Sequence, residues 1–333
     1  MTATTDIQAR RKGAILGMFI GDALAMPVHW YYDREALARD YGKVCGYLHP
    51  RNPHPNSILW RSHYPPPSPS MDILHDQRQY WGRPGIHYHQ FLKAGENTLN
   101  LKLCNLLIEM LDENGGYDAD DYLARYIGFM TTPGNHRDTY VEEYHRHFFA
   151  NYARGNHPRT CGVIEKHISG IIGMIPLIVY YADDPGLARR LAIEHLQLTH
   201  LGDRMELAGN LIVDILQPVL AGESLPQVLS DAVRRQYHPL LGHPLLKWLA
   251  DPDEIVVGKR LSTACYVQDA VPATLYLALK YHHDGERGLI ANTNLGGDNA
   301  GRGAILGALL GGANGEGTFP RRWIEGLRHP PPV

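Results

Sequence analysis

Over most of the chain, apolar residues recur every three or four positions, the period of a buried helix face, and alternating strand-like runs are scarce. Ile7–Ala25 is predicted as the first helix, ended by Pro27. Within it Gly13, Gly17 and Gly21 lie four apart, with Ile15, Met18, Phe19, Asp22 and Met26 in helical register beside them. Near the other end, residues 294–315 repeat the device: Gly303, Gly307, Gly311 and Gly315 share one face of a predicted helix. A face without side chains lets another backbone come close. Antiparallel pairing of the two stripes is therefore expected, the alternative being that each packs against some other helix. Pairing would carry Asp22, His29 and Trp30 toward Asp298, Asn299 and Arg302.

Between these ends, residues 94–112, 117–128, 138–154, 171–181, 185–195, 204–221, 226–236 and 262–282 also read as helices, with a kink expected at Pro176 and Pro272 inside or at a bend. Residues 157–170 read as a loop or helix start. Residues 49–85 are irregular, and the proline run 64–70 excludes regular helix or central strand. Carrying Trp60, Tyr64, Tyr80 and Trp81, this segment is either a flap over a site or surface wrapping. The expected architecture is all-α: one domain over 1–333, a compact bundle of ten or more helices.

Composition narrows the function classes. The chain has 44% hydrophobic and 20% charged residues, a soluble globular balance. A net charge of −3 gives no reason to expect nucleic acid or an anionic membrane as partner. No apolar run approaches the length of a membrane span, and no signal-peptide pattern is present, so a cytoplasmic location is expected. Cys45, Cys104, Cys161 and Cys265 form no close pair and read as reduced, mostly buried thiols. The oligomeric state is left open.

Three segments set unusual polar residues beside apolar helices: 21–33 (GDALAMPVHWYYD), 94–100 (AGENTLN) and 296–302 (GGDNAGR). Asp298, Asp22 and Glu96 are candidate carboxylates for acid–base work, and His29 titrates in the right range for an acid or a base. Asp298, His29 and Asp22 are the expected catalytic set. Asn299, Arg302, Trp30, Glu96, Asn100, His167 and His200 are expected to contact substrate. Arg302 suits a phosphate or carboxylate, and the helix start at 299–302 offers free N–H groups to an anion. Each has an ordinary alternative. Asp298 or Asn299 would cap the last helix; Asp22 would bond backbone; Glu96 would favour a first turn; Arg302 would form an ion pair; His29 and Trp30 would be core; His200 would cap a helix; His167 would be a solvated loop charge. The spacing of His87 and His89 occurs in metal sites, but no third ligand lies nearby in sequence.

Taken together, KGAILGMFIGDALAMPVHW, LQLTHLGDRMELAG and NLGGDNAGRGAILGALLGGANG resemble the ADP-ribosylglycohydrolase family over most of the chain. The resemblance implies a compact all-α fold and hydrolysis of an N- or O-glycosidic bond of ADP-ribose, on a small molecule or an ADP-ribosylated side chain. It also implies two Mg²⁺ ions between a Thr-Asp-Asp and a Gly-Gly-Asp-Thr-Asp-Thr segment, with a Glu after the first helix. In this chain Thr98 and Asp298 match. Leu99 and Asn100 replace the two early aspartates; Asn299, Ala300 and Gly301 replace the late Thr-Asp-Thr; His29 stands at the Glu position; the family's Gly-Asn-Gly substrate loop is absent near 165–167. The implied metal ligands are thus reduced to Thr98 and Asp298, with Asn100 as a possible amide oxygen. The motifs are similar to a divergent, crystallin-J1-like branch, for which three readings stay open: a glycosidic hydrolase, a metal-independent hydrolase with another substrate, or a catalytically silent binding or structural protein.

Overall fold

A computed structural model of the protein describes residues 6–234 and 238–332. Its helices are α1 (Ile7–Ala25), α2 (Arg34–Tyr41), α3 (Leu99–Asn114), α4 (Ala119–Thr131), α5 (Glu143–Ala153), α6 (Ser169–Ile172) and α7 (Ile175–Tyr180). There follow α8 (Pro185–Gln197), α9 (Asp203–Leu220), α10 (Leu225–Arg234), α11 (His238–Leu241), α12 (Leu245–Trp248) and α13 (Asp253–Ile255). The chain closes with α14 (Val267–Lys280), α15 (Gly285–Leu295), α16 (Asn299–Asn314) and α17 (Arg321–Ile324). Among the described residues the strands are β1 (Val163–Ile164) and β2 (His200–Leu201), which pair in parallel with Val163 opposite His200. The fold is all-α.

The two glycine stripes meet, antiparallel, at the centre. A Cβ on Gly17 would lie 2.1 Å from the Gly307 carbonyl oxygen, one on Gly21 would lie 2.0 Å from that of Gly303, and one on Gly13 would lie 2.4 Å from that of Gly311. From Gly13 onward every residue of α1 is buried, as is α16 from Asn299 to Gly312. Helices α9, α14 and α15 pack around this pair. Arg10 closes its far end by donating Nη1 to the carbonyls of Gly312 and Ala313, which the last turn of α16 leaves open.

Several boundaries differ from the sequence expectation, each for a local reason. Helix α3 starts at Leu99 rather than 94, because Gly95 takes φ +80° and lies against the Gly326 carbonyl. Helix α5 starts at Glu143 rather than 138, which leaves Asp138–Glu142 free to line the site. The expected helix 171–181 is two short helices broken at 173–174, and Pro176 sits harmlessly in the first turn of α7. Pro272 lies inside α14. Helix α10 runs to Arg234, and the expected continuation through 235–236 lies outside the described residues. Helices α2 and α15 escaped the apolar pattern, although each carries an aspartate cap, Asp33 and Asp284. Segment 49–85 forms short 3₁₀ turns and braces the chain behind His29, through His54 Nε2 to the His29 carbonyl (3.0 Å) and Asn56 Oδ1 to Tyr32 N–H (3.0 Å). All four cysteines are free; Cys45 is exposed.

Candidate active site

The close pairing of α1 and α16 brings the end of the first against the start of the last. Beyond α1, Pro27 opens a single 3₁₀ turn, Met26–Val28. Trp30 then adopts φ +62°, an unusual backbone for a bulky residue. It is held there by its N–H, which donates to the Gly297 carbonyl at 2.8 Å, while Gly297 N–H donates to the Tyr31 carbonyl at 2.6 Å. Gly296 and Gly297 both have positive φ. A Cβ on the first would meet Tyr31 O at 2.2 Å and on the second Thr263 O at 2.1 Å. Two glycines are thus what lets this turn pass between two backbones and deliver Asp298.

Asp298 caps α16, accepting from Gly301 N–H at 3.2 Å. Its Oδ1 also lies 2.9 Å from His29 Nε2. His29 Nδ1 faces His89 Nε2 at 2.8 Å, and His89 Nδ1 faces Asp138 Oδ1 at 3.0 Å. Beyond them, Lys102 Nζ reaches Asp138 Oδ2 at 2.9 Å and Glu96 Oε1 at 3.5 Å, and Arg137 reaches Glu96 Oε2 at 3.3 Å. Asp298, His29, His89 and Asp138 are all at most 5% exposed. Burial works against ionising Asp298, but His29 and Arg302 outweigh it and hold the carboxyl below its usual range. For Asp138 burial is likewise overcome, chiefly by Lys102 and His89, and its pKa is lowered. Burial pushes His89 down, against the pull of Asp138.

His29, Trp30, His89, Thr98, Asn100, Asp138, Tyr140, Glu142 and His145 line one small cavity. It encloses about 20 Å³ of water-accessible space, room for roughly one water molecule. The Trp30 indole stacks on the His29 ring at 3.8 Å between centroids and 24° between planes, and Tyr88 and Tyr140 meet the indole edge-on. Glu142, at the N-cap of α5, accepts from Asn100 Nδ2 (2.8 Å) and Ser169 Oγ (2.9 Å). Its pKa is raised by burial, with nearby Asp298 adding to the rise and His167 and Asn100 opposing it. His145 takes part through Tyr126 at 2.7 Å, leaving Nε2 buried without a protein partner.

The other expected site residues fall into three groups. Asn100 and Trp30 line the cavity. Asp22 and Thr98 are turned toward each other: Thr98 Oγ1 donates to Asp22 at 2.7 Å, and Thr98 N–H and Asn97 Nδ2 donate to its second oxygen. All that Asp22 offers is used to shape the start of α3, and burial lifts its pKa to about 6. Arg302 is likewise spent internally, on Asn292 Oδ1 (3.2 Å) and the carbonyls of Thr263 (3.0 Å) and Gly296 (2.6 Å). Asn299 Nδ2 ties Thr293 to Val28. Glu96 faces an outer groove with Lys102, Arg137 and His136, not the cavity. His200 is buried on Thr199 and Ser169 and held neutral by burial, at about 3. His167, half-buried against Tyr266, has burial opposing its charge, but Cys265 and Glu165 lift it to about 11. Sequence reading missed Asp138 and Glu142, which no motif marks, and gave no role to His89, visible only as one half of a His-Tyr-His spacing.

The residues as placed do not fit the implied magnesium site. Thr98 gives its hydroxyl proton to Asp22, Asn100 is engaged by Glu142 and Tyr144, and Leu99 brings no side-chain oxygen. Asp298 is the remaining matched carboxylate, and an imidazole edge already faces it. Magnesium asks for near-octahedral oxygen ligation. Among the described residues no three His, Cys, Asp or Glu side chains are grouped to hold a metal ion.

Residues 3–332 match the sequence family described as ADP-ribosylglycohydrolase. The chain belongs to that family. A solved structure titled an ADP-ribosylglycohydrolase-related protein complex is similar in fold over 97% of this chain and 93% of that one, with a TM-score of 0.60 and 22% sequence identity. No curated protein matches the sequence. In this chain the glycine-paired helices α1 and α16 set the Gly296-Gly297-Asp298 turn at their junction. Histidines surround Asp298 there, His29 directly and His89 behind it. No helix among its described residues is long and apolar enough to cross a membrane.

Proposed function

We propose that the protein hydrolyses an N- or O-glycosidic bond of ADP-ribose or a related ribosyl compound, by acid–base chemistry where the first and last helices meet. One observation carries this reading. Two carboxyl groups, Glu142 in the cavity wall and Asp298 against the wall residue His29, are pushed in opposite directions, Glu142 up and Asp298 down. That split is how a pair of carboxylates divides acid from base duty. Glu142, protonated, would give its proton to the leaving oxygen or nitrogen. Asp298, ionised, would steady the positive charge growing at the anomeric carbon; a water would then add to that carbon, and the proton it loses would restore Glu142. Both ring nitrogens of His29 are engaged, so it acts through Asp298 and not on substrate. The family supports the reaction type; the substrate is inferred.

The test is release of ADP-ribose from ADP-ribosyl-arginine, ADP-ribosyl-serine and O-acetyl-ADP-ribose. Glu142→Gln is expected to lower kcat by about 10²–10⁴-fold while leaving ADP-ribose affinity nearly unchanged. No release from any of the three, with magnesium present or absent, would overturn the reading. The narrowness of the cavity favours one second reading, a binding protein without turnover, since a ribosyl group enters only if a wall moves. That reading predicts ADP-ribose binding with no product from any of the three compounds. A metal-independent hydrolase acting on another substrate would instead fail both the binding and the release assays.

A further inference from the structure

We infer that His29 and His89 together hold one proton beyond neutrality between Asp298 and Asp138, and that this shared cation replaces the divalent metal at the site. The inference rests on counting protons across three short gaps. The outer nitrogens, His29 Nε2 and His89 Nδ1, face carboxylate oxygens at 2.9 and 3.0 Å. The inner nitrogens face each other at 2.8 Å. The ring planes are 4° from parallel and the centroids 5.1 Å apart, the separation of rings set edge to edge along the N···N line, as an in-plane N–H···N bond requires.

Two carboxylates and two neutral imidazoles bring two protons, which are used on the outer gaps. The inner gap would then set two lone pairs against each other at hydrogen-bonding distance in a buried site, an arrangement that costs as much as an unmade bond or more. A third proton closes all three gaps at once. A fourth would put two hydrogens in one gap. The four groups therefore carry three protons and a net charge of −1.

The surroundings place the extra proton on His29. The indole face of Trp30 lies 3.8 Å from the His29 ring, where a ring cation is favoured. The other titratable groups around the pair are Asp22, His54, His87, Glu142 and His145, with Arg302 near Asp298 and Lys102 beyond Asp138. Burial holds His54 down to about 4 and His87 well below its usual range, so neither competes for the charge. His89 then donates Nδ1–H to Asp138 and accepts from His29. Asp298 faces an imidazolium that no chelator can remove. His89 and Asp138 are positioning residues: they share the cavity wall but do not reach Asp298, and they act by keeping His29 charged.

The consequence for turnover rests on the hydrolase reading, but the protonation state does not. With ¹⁵N-histidine labelling of the full chain at pH 7, His29 is expected to show both ring nitrogens protonated. His89 should be neutral, protonated at Nδ1. Magnesium chloride alone should leave these signals unshifted. In Asp138→Asn at pH 7 the ratio of doubly to singly protonated His29 signal should fall about tenfold against wild type. A neutral His29 ring in the folded wild type at pH 7 overturns the inference, as does saturable magnesium binding that shifts the His29 signals. If these signals appear as expected while the three ADP-ribosyl compounds stay intact, the hydrolase reading fails and the shared proton stands. Turnover abolished by EDTA together with a neutral His29 would do the reverse.

Discussion

Replacing Gly307 with alanine tests the central contact of the fold. The new Cβ would sit 1.9 Å from the Gly17 carbonyl oxygen. Carbon–oxygen contacts of this kind settle at about 3.3 Å, so the helices would have to part by roughly 1.4 Å. The obstacle is backbone, so no side chain can turn aside to make room. Parting also loosens the neighbouring contacts at Gly13–Gly311 and Gly21–Gly303, and a gap of about 1 Å forfeits up to half of each dispersion contact. Overpacking of this kind costs about 3 kcal/mol or more, and alanine's better helix propensity returns about 1. A net loss of about 2–4 kcal/mol is expected. At ~2.1 cal/mol/K per residue over 333 residues, unfolding entropy is near 0.7 kcal/mol/K, so the midpoint should fall by about 3–6 °C.

Two controls separate close approach from propensity. Gly312 lies in the same helix, but its Cβ would meet Leu216 at 3.4 Å, an ordinary contact. Gly128 is exposed within α4 and its Cβ would meet nothing. Alanine at either position is expected to stabilise by about 0.5–1 kcal/mol. Calorimetry and urea unfolding of the three variants read the difference. If Gly307→Ala unfolds at or above the wild-type midpoint, the glycine stripe is not held by backbone contact and the reasoning fails.

Two further outcomes follow from single residues. Asp22 has a folded pKa of about 6 against an ordinary 3.8. Because the folded value is the higher one, the folded state keeps a proton that the unfolded state releases, and stability falls as pH rises from 4 to 6 by roughly 3 kcal/mol. Asp22→Asn, in which Thr98 Oγ1 can turn from donor to acceptor, should flatten that slope in denaturant titrations run across the window; an unchanged slope would assign it elsewhere. Gly297→Ala combines a positive φ of 63° with a 2.1 Å approach to Thr263 O. It should cost about 2–4 kcal/mol and move Asp298, so the His29 imidazole signals should shift, whereas loss of stability with those signals unmoved would uncouple the turn from the site.

How much of this was legible in the sequence depended on whether the signal was local. A glycine every fourth residue states its own face and distance, and two such stripes found each other in the expected antiparallel sense. The resulting neighbourhood of His29 and Asp298 was legible for the same reason. Asp138 was not, because its meaning comes from His89, 49 positions away, through a contact that periodicity cannot express. Glu142 was hidden inside an amphipathic run whose first five residues are not helical. Arg302 was legible as important but not in kind. A guanidinium with five donors fits equally well on a phosphate or on the carbonyls of a tight turn, and only the placement of Thr263 and Gly296 decides.

The losses and gains around Asp298 balance as charge. The family pattern sets several carboxylates around doubly charged ions. Here Leu99, Asn100 and Ala300 stand where the resemblance implies carboxylates, and the matching cations would be stranded if they were retained. The chain instead runs from Asp298 to the histidine pair, then to Asp138, Lys102, Glu96 and Arg137, each against the next. With the shared proton counted, the signs alternate along the whole line and sum to zero. Every buried charge in it has an opposite neighbour from the same chain, which offsets the cost of burying ions. Leu99 is part of that solution: its N–H donates to Asp138 Oδ1 at 3.3 Å, so the position that gave up a carboxylate now supports the one that anchors His89.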